Sequence, residues 1–312
     1  MNNDSVSVII PVYNNVRYLG EALESVLKQS FTNYEIIIVD DGSTEDIAGS
    51  LQKYLRAYDT IRYVRQENKG PGPARNTGIR LAKGKWIAFL DADDVWVADK
   101  LEKQVAYVKE HPNTFVGGSM QGLDTNSGAS LLPKDVRCFT HAATKAEDFT
   151  KLLKIPYLCA VCGLGSLLIG RDMLDSVGLF DESLRTVEDD DLIFRLFRNY
   201  PFYALANVVL LRRKHEGSMT TGSAMEPRIQ NKYTVTKKIL SLIDDAEITT
   251  SKNEILGYWT EEFCRRHIYR KSYGYALKWL SIGIKTYPRY YTARLRNKAA
   301  KIFTRKRLRK EQ

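Results

Sequence analysis

No apolar run in the 312 residues approaches the ~18 that a membrane-spanning helix needs, so no spanning helix is expected. Met1-Asn2-Asn3-Asp4-Ser5 has neither a basic start nor an apolar core, which predicts no secretory signal and a cytosolic setting. Cysteine is scarce: Cys138, Cys159, Cys162 and Cys264. Cys159-x-x-Cys162, with Cys138-x-x-His141 upstream, superficially has zinc-ligand spacing. Cys159 and Cys162 lie in an apolar stretch, however, and read as small hydrophobes. A cytosolic setting also argues against disulfides. A P-loop is missing, because Asn68-Lys69-Gly70-Pro71-Gly72-Pro73 lacks its spacing, and this excludes ATP hydrolysis of that type.

Hydrophobic residues make up 44% and charged residues 27%, which leaves enough apolar side chain for one large folded domain and an appendage. The formal net charge of +10 favours phosphate, anionic lipid or nucleic acid as neighbours.

Apolar runs at Val6–Pro11, Glu35–Val39 and Trp86–Leu90 predict buried strands, and Ile61–Arg65 reads as a further strand. Helical spacing predicts helices over Tyr18–Gln29, from a Ser43 cap to Tyr58, over Ala74–Ala82 and over Val97–His111. Further strands are expected at Phe115–Ser119, Ser166–Gly170 and Phe202–Arg212. A helix from Glu188 to Asn199 precedes the last of them. Asp124–Ala146 reads as a loop crossing the mouth of the site. Strand and helix in alternation predict an α/β fold with a mainly parallel, doubly wound sheet.

Two acidic turns then fall at the same edge of that sheet. Asp40-Asp41 ends the second strand, and Asp91-Ala92-Asp93-Asp94 ends the fourth. Ligands of open α/β sheets bind beyond the C-terminal ends of the strands. Three crowded carboxylates suit a hard divalent cation such as Mg²⁺ or Mn²⁺. Taken alone, the second turn reads equally as a solvated cap for the helix that follows.

Beyond about Ser223 the pattern changes to helices at 229–243, 254–270 and 273–286 with no strand between them. We therefore divide the chain into residues 1–222 and a helical C-terminal extension, 223–312. Arg294–Lys310 interleaves Lys and Arg with Leu295, Ala299, Ile302, Phe303 and Leu308. Such a basic amphipathic segment fits an anionic membrane surface. No nucleic-acid-binding module accompanies it, so no nucleic-acid partner is expected.

Seven short motifs, in order, resemble those of the family 2 glycosyltransferases with the nucleotide-binding GT-A fold. They are Val8-Ile9-Ile10-Pro11-Val12-Tyr13-Asn14, Val39-Asp40-Asp41-Gly42-Ser43, Asn68 through Gly78, and Phe89-Leu90-Asp91-Ala92-Asp93-Asp94. Gly178-Leu179-Phe180-Asp181-Glu182, Glu188-Asp189-x-Asp191-Leu192 and His215-x-x-Ser218-x-Thr220 complete the set. Each is weak alone, and their common order over roughly residues 5–220 is specific.

The resemblance implies transfer of a sugar from a nucleotide-diphosphate donor to an acceptor hydroxyl with inversion. UDP is the implied carrier, with dTDP and GDP as alternatives. It also assigns roles. Pro11, Tyr13 and Asn14 would wall the nucleotide pocket, Asp41 would accept from the base, and Asp40 would support that turn. Arg75 and Asn76 would line the phosphate and ribose side. Asp91-Ala92-Asp93 would form the metal and ribose motif, with Asp93 the first metal ligand, Asp94 its competitor and His215 a further ligand. Asp189 would be the catalytic base. Mn²⁺ or Mg²⁺ is the implied cofactor, bound measurably only with the nucleotide present. A lipid-linked or surface-polysaccharide glycan is the implied acceptor, and the inner face of the cell membrane the implied place of work. A nucleotidyltransferase would want a Gly-rich basic loop where Pro11-Val12-Tyr13-Asn14-Asn15 stands. A catalytically silent binding module would not need Asp93 and Asp189.

Overall fold

The computed structural model describes residues 4–123, 163–213, 225–241 and 246–294. His141, His215, Cys138, Cys159, Cys162, the 124–146 loop and the basic tail beyond Arg294 lie outside the described residues. The chain divides into two compact units, with the boundary between Asn231 and Lys232.

The first unit holds an eight-stranded sheet: β1 (Val6–Val12), β2 (Tyr34–Asp40), β3 (Ile61–Arg65), β4 (Trp86–Phe89), β5 (Val95–Trp96), β6 (Phe115–Leu123), β7 (Leu168–Gly170) and β8 (Phe202–Arg213). The order is β3-β2-β1-β4-β7-β6-β8-β5. Strands β1 to β4 are parallel, with Val12 opposite Asp40 and Ile9 opposite Phe89. Strand β7 enters antiparallel between β4 and β6, and β5 pairs antiparallel with β8. The sheet is thus mixed but mostly parallel, as the GT-A resemblance implies.

Buried apolar residues explain the layers. Val6, Val8, Ile10 and Val12 alternate onto one face, where they form a core with α1 (Val16–Leu27), α2 (Ile47–Ala57) and α4 (Lys100–Glu110). On the other face, α3 (Pro71–Leu81) comes so close to β1 that a Cβ at Gly78 would sit 2.4 Å from Ile9. Two further helices, α5 (Arg171–Val177) and α6 (Glu188–Asn199), complete the described part up to β8, and Phe115, Phe197 and Phe202 join β6, α6 and β8.

Several boundaries differ from the expected ones: β6 runs on from Ser119 to Leu123 beside β8, the helix expected at 254–270 starts at Ala246, and three others move for a local reason. Asp46, not Ser43, caps α2 by accepting the Gly49 N–H, because Ser43 is engaged with Asp40 and Asn14. Helix α3 starts three residues early, at Pro71, because Pro suits the first helical position and Gly70 adopts φ 99° before it. Helix α4 starts late, at Lys100, because the Val97 N–H still bonds the Val209 carbonyl of β8 and Asp99 takes the N-cap position.

The remaining helices are α7 (Met225–Ser241), which runs across the unit boundary, and α8 (Ala246–Tyr269) and α9 (Tyr273–Thr286), which belong to the second unit. Trp259, Phe263 and Trp279 pack together in the core of this second unit, tilted and edge-on. Among the described residues, no helix is long and apolar enough to cross a membrane.

Candidate active site

The parallel strands β1, β2 and β4 all end at one edge, which brings Tyr13, the Asp40–Asp41 turn and the Asp91–Asp94 turn to the same side of the sheet. Asp40 is buried and accepts from the Ser43 N–H at 2.8 Å and from the Tyr63 hydroxyl at 2.8 Å, with Arg65 at 3.5 Å. Burial pushes its carboxyl up, but these bonds outweigh it and hold the group below the usual carboxylate range. Tyr63 is pushed up to about 12 by burial and by Asp40. Asp40 is thereby a rigid support for its turn.

Asp41 gathers the following loop. It accepts from Gln66 Nε2 and from the backbone N–H groups of Lys69 and Gly70, at 2.8, 3.0 and 2.8 Å. The loop can close this far because residue 42 is glycine: at φ 75°, a Cβ would stand 2.8 Å from the Asn68 nitrogen. Asn14 fixes the neighbouring turn, accepting from Thr44 and Glu45 N–H while its own N–H donates to Ser43 Oγ. Tyr13 is half exposed at the edge. Pro11 is partly buried beneath it.

Arg75 is the centre of the arrangement. Its guanidinium is almost wholly buried and donates to Asp91 Oδ1 at 2.8 Å and to Glu188 Oε1 at 2.7 Å. The Arg75 charge also acts on Asp189. One side chain of α3 thus ties the end of β4 to the first turn of α6, where Asp189 lies partly exposed. Burial and the neighbouring Asp189 push Glu188 up to about 7, against the pull of Arg75. Val187, the residue before that helix, is held at φ 62°, an uncommon conformation for a β-branched residue and a recurrent feature of functional sites.

Asn76, expected to line the donor, is buried, and its amide bonds Phe180 N–H, Phe180 carbonyl and Glu182. These bonds fix the 180–182 turn. Asp181 caps Ser183 within that turn, and Asp191 holds Arg195, which donates to the carbonyls of Val177, Gly178 and Leu179.

The Asp91–Asp94 turn splits in two. Asp91 keeps 45% of its side chain exposed, and Asp93 is partly exposed. Asp94 faces inward and accepts the Arg213 N–H at 2.9 Å. Burial, then the charges of Asp91 and Asp93, push its carboxyl well above the usual range. Asp94 therefore braces the turn from below. Ala92 is buried beside it. Arg213, at the end of β8, also bonds the Asp93 carbonyl and Glu21. Among the described residues, no group of three or more His, Cys, Asp or Glu is placed to hold a metal ion. The exposed pair Asp91 and Asp93 offers hard oxygen donors of the kind Mg²⁺ and Mn²⁺ take when phosphates complete their coordination.

Motif spacing did not show the parts played by Glu188 and Arg213. Each acts on residues more than 110 positions away in the chain.

Residues 7–168 match the family described as glycosyl transferase family 2. An uncharacterized glycosyltransferase of Rickettsia prowazekii (strain Madrid E) is 32% identical over 279 residues, which cover 87% of this chain and 83% of that protein. A UDP-Glc:alpha-D-GlcNAc-diphosphoundecaprenol beta-1,3-glucosyltransferase of Escherichia coli is 33% identical over 176 residues, covering 55% of this chain and 62% of that protein. The crystal structure of S. aureus TarS 1-349 in complex with UDP-GlcNAc superposes with a TM-score of 0.65 at 23% identity, over 84% of this chain and 72% of that one, a likeness of fold. The chain spans only 26% and 29% of the length of two other Rickettsia glycosyltransferases that it matches. The chain belongs to glycosyl transferase family 2.

Proposed function

We propose that the protein is an inverting glycosyltransferase that moves a sugar from a nucleotide-diphosphate donor, a UDP-sugar first, to an acceptor hydroxyl. The observation that supports this reading is the pair of hydrogen bonds from Arg75 to Asp91 at the acidic strand end and to Glu188, the residue before Asp189. The E. coli relative is named for a UDP-Glc donor and a diphosphoundecaprenol acceptor. It supports a UDP-sugar and a lipid-linked or surface-polysaccharide acceptor here.

In this reading Tyr13 offers a ring face to the base, and Asp41 uses its remaining lone pairs to accept from a base N–H. Asp91 and Asp93, with His215, would hold Mn²⁺ or Mg²⁺, which supplies Lewis-acid stabilisation of the diphosphate leaving group. Asp189 takes the proton of the acceptor hydroxyl as that oxygen attacks. One base suffices for inversion, whereas retention by double displacement would need a nucleophilic carboxylate. Residues 1–222 carry this chemistry. Residues 120–170 and the helical extension, 223–312, choose the acceptor, with the basic tail resting on anionic lipid at the inner face of the membrane.

A panel of nucleotide sugars, hydrolysed with Mn²⁺ or Mg²⁺, identifies the donor. Asp189→Asn then separates binding from chemistry. Donor affinity by calorimetry should stay within about threefold while turnover falls roughly 10²–10⁴-fold. Undiminished turnover would remove Asp189 from the role of base.

A further inference from the structure

Exposed apolar side chains are concentrated in one place. Of the eight large ones among the described residues, six lie between Ile268 and Ile284, so they form a local feature and not a scatter. They surround the hairpin that joins α8 to α9. Lys271 takes a left-handed conformation at the bend, and Ser272 N–H closes it on the His267 carbonyl at 2.8 Å. Tyr269, at the end of α8, is 91% exposed.

Helix α9 buries Ala276, Trp279 and Gly283 along one stripe. Tyr273, Leu277 and Ile284 fall four and seven residues apart, on a second stripe roughly 100° round the helix. Lys278 and Lys285, seven apart and exposed, flank it on the far side. The helix therefore presents a narrow apolar and aromatic band edged by lysines.

Charge selects the occupant. From Phe263 to Arg294 the chain carries eight Lys and Arg and no Asp or Glu; Arg265, Arg266 and Arg294 pair with Glu262 and Glu261, and the other five, Arg270, Lys271, Lys278, Lys285 and Arg289, set the sign of the surface. A second copy of the same surface would bring like charges together. An anionic bilayer complements it, because Tyr and Leu settle at the headgroup boundary while Lys and Arg meet lipid phosphates.

We propose that the α8–α9 hairpin is a docking surface for anionic phospholipid bilayers. It extends the membrane reading of the basic tail to a second, folded element, and it is tested apart from that tail. The full chain is co-sedimented with vesicles of phosphatidylcholine alone and of phosphatidylcholine with phosphatidylglycerol. Binding is expected only to the second. A hairpin variant, Tyr269→Ser with Tyr273→Ser and Leu277→Ser, should lower partitioning by about tenfold or more, and Lys271→Gln with Lys278→Gln by about thirtyfold. Both should retain donor hydrolysis in solution, which shows that they fold. A tail variant, Arg305→Gln with Lys306→Gln and Arg307→Gln, measures the other element. Hairpin variants that bind like the wild type overturn the proposal, even if the tail variant fails to bind. The emission that Tyr269→Trp adds to that of the four native Trp, read as the difference from the wild type, should be blue-shifted on vesicles and quenched by brominated lipid, and an unshifted difference overturns the proposal as well. So does a wild-type dimer, seen by sedimentation velocity, that the hairpin variant converts to monomer.

Discussion

Arg75 Nη1 lies 2.7 Å from Glu188 Oε1, and both side chains are buried. The two residues stand 113 positions apart, so this contact closes a long loop of chain around the site. A buried ion pair is weak evidence for stability, but breaking one leaves an uncompensated charge. Arg75→Met leaves both Glu188 and Asp91 without their donor. It should cost about 3–5 kcal/mol in urea unfolding followed by circular dichroism. Arg75→Lys should recover only part of this, because a single ammonium cannot reproduce the planar fork that serves two carboxylates.

Glu188 makes stability depend on pH. Its folded value, about 7, lies above the ordinary 4.5. Between the two the folded state binds the extra proton, so the contribution is fully present below about 4.5 and is lost as pH rises through about 7. The shift corresponds to at most about 3 kcal/mol. Thermal unfolding from pH 5 to pH 8 should therefore show a fall in Tm that Glu188→Gln flattens. An equally steep fall in the variant would assign the dependence to other groups.

Strands β1, β2 and β4 were readable because they are apolar runs; they and β3 fall within one or two residues of the expected ranges. That alone fixes which acidic turns share an edge. Of the short elements, β7 was readable from its apolar residues, whereas β5 and α5 were not. Two residues of β5 and seven of α5 carry too little pattern to stand out. Within the site, sequence shows which residue types cluster but not which way they face. Asp93 and Asp94 are adjacent and chemically identical, and only the Arg213 N–H from a strand 119 positions away turns Asp94 inward. Asn76 is the same case, since its amide is taken by a turn 104 residues on.

That inward turn separates two neighbours by experiment. Asp93→Asn should raise the Mn²⁺ concentration for half-maximal activity by about tenfold or more, on the scale of lost metal-site partners. Asp94→Asn should leave it within about twofold while lowering Tm, because it loosens the hold of β8 on the turn. A larger metal effect at Asp94 than at Asp93 would reverse the assignment.

Lys100 provides the opposite slope with pH to Glu188. Its side chain is fully buried, and Nζ meets Gln104 Oε1 at 2.7 Å, the Leu167 carbonyl at 3.4 Å and the Trp96 ring at 4.0 Å. Trp96 and Gln104 bond the neighbouring carbonyls of Gly165 and Ser166, so the three side chains hold the chain where it enters β7 beside β4. Burial drives the Lys100 amine well below its ordinary 10.5. The unfolded chain then binds the extra proton, and the contribution is present above about 10.5 and lost as pH falls through the folded value. Lys100→Met keeps the stem and removes the charge. At neutral pH it should be as stable as the wild type within about 1 kcal/mol, or more stable. Its stability should also stop rising between pH 7 and pH 10, as read by urea midpoints. A variant several kcal/mol less stable at neutral pH would show that the amine's bonds to Gln104 and Leu167, and not its charge, decide the balance.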